Sequence, residues 1–67
     1  MPVVEIYGTK VKEHSRYKGC VIYKGEGFKW FGQFTNEKGW IETIESGSLV
    51  DLKIDINSKV AQGRVQQ

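Results

Sequence analysis

A chain of 67 residues, 39% of them hydrophobic and 27% charged, with a net charge of +2, has room for one small domain. With one Cys and one His it excludes an internal disulfide and the four nitrogen or sulfur ligands of a closed zinc site, so neither a metal nor a cofactor is expected. So mild a charge does not by itself mark a nucleic-acid binder, and no stretch nears the roughly 20 apolar residues of a membrane span.

Val3-Val4-Glu5-Ile6-Tyr7 is β-branched and short, stops at Gly8, and reads as an edge strand or arm. Thr9 to Arg16 is polar and basic with Val11 as its one apolar residue, and reads as an exposed connection that can extend the first strand. From Tyr17 to Lys24 the residues alternate, with Tyr17, Gly19, Val21 and Tyr23 on one side and Lys18, Cys20, Ile22 and Lys24 on the other. The first set is the expected core side. Gly25-Glu26-Gly27 accepts the positive φ of a tight reversal. Phe28 to Thr35 then sets Phe28, Trp30, Gly32 and Phe34 against Lys29, Phe31, Gln33 and Thr35, and Gly32 leaves room for a helix to approach closely. Asn36-Glu37-Lys38-Gly39 is a second turn, and Trp40 to Glu45 a third strand.

The segment after Glu45 fits two periods. Val50, Leu52, Ile54 and Ile56 alternate like a strand, whereas Leu49, Leu52, Ile56 and Val60 form a helical stripe. Ser48 with Asp51 three residues later resembles a capping box, and Gly63 stands where a helix would stop. A sheet with one apolar face needs a lid, which favours a helix from Leu49 to about Gln62. The expected fold is therefore α+β, an antiparallel meander of three strands, or of four if the amino-terminal segment adds a short one, packed by one C-terminal helix; the alternative is a small all-β barrel or sandwich. The domain divides into an arm (1–16), a β-β-β-α core (17–62) and a frayed tail (63–67).

Charge is polarised along the chain. Lys10 to Lys29 holds six cations against two carboxylates, and Glu37 to Asp55 five carboxylates against two cations. Two solvated surfaces that attract across the fold explain this, and so does a basic patch aimed at a polyanion.

The order Tyr17-Lys18-Gly19, Trp30 and Phe34, Gly39-Trp40, Ser48-Leu49, Leu52-Lys53 and Ile56-Asn57 resembles a loose pattern in small phage, prophage and plasmid-type accessory proteins. It covers about Tyr17 to Val60. The resemblance implies a β-β-β-α fold and a mobile-element origin; it implies no particular activity, since such proteins serve varied accessory and host-interfering roles. The layout is also similar to the arm-binding domains of some phage integrases and to plant AP2 domains, which lay a sheet in the major groove. Those are richer in Arg on the sheet than this chain, which has Arg16 and Arg64.

An enzyme is not expected. Cys20 and His14 are six residues apart, one in a strand and one in a polar connection, and a lone Cys is ordinarily a small hydrophobe. Glu42 and Glu45 face opposite sides of a strand, and Gly25 and Gly27 lack the rest of a phosphate loop. Binding is the expected class. If Tyr17, Val21, Tyr23, Phe28, Trp30, Phe34 and Ile41 face the helix, then Ile22, Phe31, Trp40 and Ile44 are left outside beside Lys18, Lys24, Lys29 and Gln33. An apolar cluster with a basic rim is an interaction surface. The first expectation is a protein-binding module that forms a homodimer or occludes a host or defence protein. The alternative is a nucleic-acid binder with Lys18, Lys24 and Lys29 on phosphates and Phe31 and Trp40 stacked on bases. A small anionic ligand held between subunits is a third. The unpaired Cys and the lack of an apolar leader fit a cytoplasmic setting.

Overall fold

The computed structural model describes residues 4–66. Five strands, β1 (Val4–Ile6), β2 (Thr9–Tyr17), β3 (Cys20–Lys24), β4 (Trp30–Thr35) and β5 (Ile41–Ser46), precede one helix, α1 (Leu49–Ala61). Each strand pairs antiparallel with the next, so spatial order follows chain order. The α+β class holds, and the expected three or four strands are corrected to five. The first strand, expected from Val3, is β1; Val3 itself lies outside the described residues. Among the described residues no helix is long and apolar enough to cross a membrane.

Two dipeptides account for the extra strand. Tyr7-Gly8 (φ 51° and 77°) joins Ile6 to Thr9, and Lys18-Gly19 (φ 50° and 85°) joins Tyr17 to Cys20. Positive φ at both central residues is the type I′ turn, whose twist matches that of the strands it joins. What alternation alone reads as one strand from Tyr17 to Lys24 is therefore a hairpin, and the polar stretch Thr9–Arg16 is most of β2.

The same turn resets the side-chain phase. Residues directly opposite in a ladder share a face, so Tyr17 and Cys20 point the same way and Ile22 follows them onto the side that α1 covers. Val21 and Tyr23 lie on the far face, the reverse of the expected placement. In β4 the expected phase is found: Trp30, Gly32 and Phe34 face α1, while Phe31 and Gln33 face away. In β5 the phase is again reversed, because a three-residue loop sets Ile41 opposite Thr35 on the far face and Ile44 opposite Gly32 beneath the helix. Phe28, expected under α1, lies in the β3–β4 loop and is 86% exposed.

The helix is specified at both ends. Ser48 is its N-cap, with the Asp51 amide donating to Ser48 Oγ at 3.1 Å. At the other end Gly63 (φ 71°) donates to the Val60 carbonyl and Arg64 to the Lys59 carbonyl, a Schellman closure that a residue with a β-carbon resists. Leu52 and Ile56 are fully buried against Cys20, Ile22 and Phe34, each burial worth about 2 kcal/mol. Gly32 is where the helix comes close: a β-carbon there would stand 3.2 Å from Leu52 Cδ1. Val65 bridges to Asn36, and the Gln66 amide donates to the Thr35 carbonyl at 2.8 Å. Residues 64–66 are thus tied to the end of β4 rather than frayed, and Gln67 lies outside the described residues.

The far face has its own cover. Ile6 and Val11 pack with Phe31, which is fully buried, and Tyr23 closes on them. Strands β1, β2 and β4 meet in this way because the sheet curls, carrying the first hairpin over Phe31. Tyr7 adds an edge-to-face contact with the Phe31 ring, centroids 6.2 Å apart.

Candidate protein-binding surface

The residues expected to form one exposed sheet face are dispersed. Ile22 and Phe31 are core residues with no exposure, Ile22 because the Lys18-Gly19 turn phases it under α1 and Phe31 because the first hairpin folds over it. Ile44 is half-buried beneath the helix for the register reason above. Lys18 is a turn residue beside the Tyr17 ring. Lys24 is half-buried, donating to the Gly25 and Gly27 carbonyls at 3.2 and 2.6 Å with its Nζ 5.1 Å from the Trp30 centroid. Lys29 is exposed in the β3–β4 loop. Lys24 and Lys29 stand at one end of β4 and Trp40 at the other, so the base-stacking set drawn from the sequence is not assembled.

Of that set, Trp40 is exposed and Gln33 half-buried, but the ladder phase puts them on opposite faces, Trp40 opposite Asn36 and Gln33 opposite Val21 and Thr43. Trp40 and Ile41, where the chain enters β5, are each 71% exposed. Asn36 fixes the approach. Its buried side chain accepts from the Lys38 and Trp40 amides, both at 2.9 Å, and donates to Glu42 Oε2 at 3.0 Å. The Asn36 amide donates to the Trp40 carbonyl at 2.7 Å, and Gly39 (φ 84°) completes the loop. The exposed indole therefore sits on a turn whose own polar groups are bonded. On the far face, Val21, Gln33, Thr35 and Ile41 line a shallow depression of about 170 Å³, with Gln33 Nε2 donating to Thr43 Oγ1 at 3.2 Å. Neither the three-residue loop nor its consequence for Ile41 is visible in alternation alone, and Ile41 was missed for that reason.

Chemistry elsewhere is muted. Cys20 lies under the helix, and burial pushes its thiol pKa up, which disfavours the thiolate. His14 is the extra residue of a bulge in β2, its ring edge-on to Trp30 at 5.0 Å. Glu42 receives the Asn36 amide and lies 3.2 Å from Arg64, and these together with Lys59 hold its carboxyl below the usual range against a smaller opposing effect of burial.

No protein-family model, no curated protein and no solved structure gives a significant match to the chain.

Proposed function

We propose that this chain is a protein-binding module that covers a surface of its partner with the Trp40 end of β5. The observation that supports this is the pair Trp40 and Ile41, consecutive, each 71% exposed, and held by the bonded Asn36 turn, with Ile41 lining the far-face depression. Tryptophan is among the residues that most often dominate binding energy, and an anchor already ordered by its turn loses little freedom on association. Such a module suits the occlusion of a host or defence protein. The nucleic-acid alternative has less behind it, with Phe31 in the core and Lys24 and Lys29 at the opposite end of β4.

The test is selection from a random linear-peptide library on the immobilised chain, with the recovered binders measured again on a Trp40→Ala, Ile41→Ser variant. Binding is expected to fall at least about tenfold, or about 1.4 kcal/mol, while thermal stability changes by no more than about 0.5 kcal/mol per exposed site. Binders that hold the variant as tightly as the wild type would end the reading.

A further inference from the structure

The two open edges of the sheet are built differently. On the side of β2 that β1 occupies, the described residues of β1 pair with Thr9–Val11, and the remainder of β2 carries Lys12, Arg16 and the His14 bulge. Charged residues and bulges are how sheet edges are protected from added strands. The β5 edge has no bulge, and its charged residues, Glu42 and Glu45, are both acidic. Its ladder with β4 runs without a break from Ile41 to Ser46, it holds no Pro or Lys, and among the described residues no strand lies beyond it.

The register shows which groups that edge presents. The bond from the Asn36 amide to the Trp40 carbonyl marks Asn36 and Trp40 as a hydrogen-bonded pair. Such pairs alternate along an antiparallel ladder, so Glu42, Ile44 and Ser46 bond inward to β4 while the amides and carbonyls of Ile41, Thr43 and Glu45 point outward. Exposed aromatics flank this row. Trp40 stands at its start, and at its end Phe28 lines an open groove of about 610 Å³ with Lys29, Glu45, Ser46 and Gly47.

Charge identifies the occupant. On α1 the step of 100° per residue sets Asp51 and Asp55 on the opposite flank of Leu52 from Lys53. Lys53 reaches the Tyr17 ring of β2, so the acidic flank lies towards β5. On the helix side of the edge stand Glu42, Asp51 and Asp55, with Arg64 paired to Glu42 and the Lys59 charge near it, while Glu45, opposite Phe31, lies on the far face and shares its groove with Lys29.

We infer that the β5 edge takes an extended protein segment with alternating cationic and apolar residues as a sixth strand, its cations on the helix side and its apolar residues beside Ile41 and Thr43. This deepens the binding reading above and rests on it.

The experiment uses two labelled eight-residue peptides of identical alternation, Lys with Val and Glu with Val, followed by fluorescence anisotropy and by amide hydrogen exchange of the chain. The Lys peptide is expected to bind at least about tenfold tighter than the Glu peptide at low salt and to weaken as salt rises. On binding, exchange at the Ile41, Thr43 and Glu45 amides should slow at least about tenfold, a protection that surface attraction alone does not give. Thr43→Pro removes one outward amide and leaves the backbone bonds to β4, losing only the Gln33–Thr43 side-chain bond across that ladder, and should cut Lys-peptide affinity by a similar factor. Equal affinity for the two peptides, no Lys-peptide binding, or binding without those protections overturns the inference, and the exchange readout stands even if Thr43→Pro does not fold. Outward amides already protected in the free chain, with a dimer in sedimentation, would make the occupant a second copy and also overturn it. Library binders that need Trp40 but tolerate Thr43→Pro would leave the binding reading intact and remove strand addition alone.

Discussion

The two faces of this sheet are closed by lids of unequal build. Beneath α1 lie Cys20, Ile22, Phe34, Leu52 and Ile56, ringed by Tyr17, Trp30, Ile44, Leu49, Val60 and Val65. On the far face the buried set is Ile6, Val11 and Phe31, with Tyr23 partly covered. The first lid is a helix of 13 residues capped at both ends; the second is a strand of three residues joined to β2 through a two-residue turn. A chain this small buries only about 60% of its unfolded surface, and a helix alone would leave Phe31 in water. The hairpin removes the apolar surplus that the sequence places on the far face, so the open apolar residues of the β4–β5 hairpin are Trp40 and Ile41 at its end rather than the middle of the sheet.

The sharpest way to break this comparison is to empty one core at a time. Leu52→Ala should cost about 3 kcal/mol, since it opens a cavity under a helix fixed by caps at both ends. Val11→Ala removes fewer atoms from beneath a lid that can settle inward, and should cost about 1.5 kcal/mol. Denaturant titration of both variants checks the order. In hydrogen exchange the β1–β2 amides of the wild type should open at lower free energy than those of α1, as expected of a segment with fewer buried contacts. Equal costs and a single opening free energy would show that the two lids behave as one unit.

A smaller effect isolates the hairpin. Gly8 holds φ 77° with nothing within 4 Å of where a β-carbon would stand, so Gly8→Ala meets no neighbour and costs only the left-handed backbone, about 1 kcal/mol. Chemical-shift changes should stay around β1, Val11 and Phe31 and leave Leu52 and Ile56 unmoved. Shifts that reach the helix would mean that the far-face lid supports the other core.

The division between lids also marks where the sequence could be read. The helix was legible because its signals are local: Ser48, Asp51, the stripe of Leu52 and Ile56, and Gly63 all act within a few residues. Gly32 was legible for the same reason, since a glycine among strand aromatics marks a close approach. The faces of β3 and β5 were not, because their phase depends on loop length. A two-residue turn at Lys18-Gly19 and a three-residue loop after Asn36 each decide which half of an alternating strand turns inward, and a slip of one residue exchanges every side chain. The far-face lid was illegible because Ile6 and Val11 meet Phe31 through curling of the sheet, a contact between β1, β2 and β4 that no periodicity records. Of the residues expected on an open face, Trp40 is exposed and Gln33 half-buried, whereas Ile22, Phe31 and Ile44 are covered for these two reasons.

The lids differ last in electrostatics, and acid should separate them. Among the described residues the one ion pair, Arg64 to Glu42 at 3.2 Å, fastens the segment just past α1 to β5. The Asn36 hydrogen bond first, then the charges of Arg64 and Lys59, hold the Glu42 carboxyl below its ordinary value, burial opposing them. A carboxyl whose pKa is lower folded than unfolded stabilises the fold at pH above the unfolded value, about 4.3, and that contribution is lost as pH falls through the folded one. Thermal midpoints of the wild type should therefore decline more steeply below about pH 4.3 than those of Glu42→Gln, the difference shrinking with added salt because the pair is partly exposed. In the same window, exchange at the C-terminal amides of α1 should quicken before exchange at β1–β2, since no ion pair fastens the hairpin among the described residues. Parallel pH profiles for the two proteins would show that the Asn36 turn and the Schellman closure hold this end of the helix without help from charge.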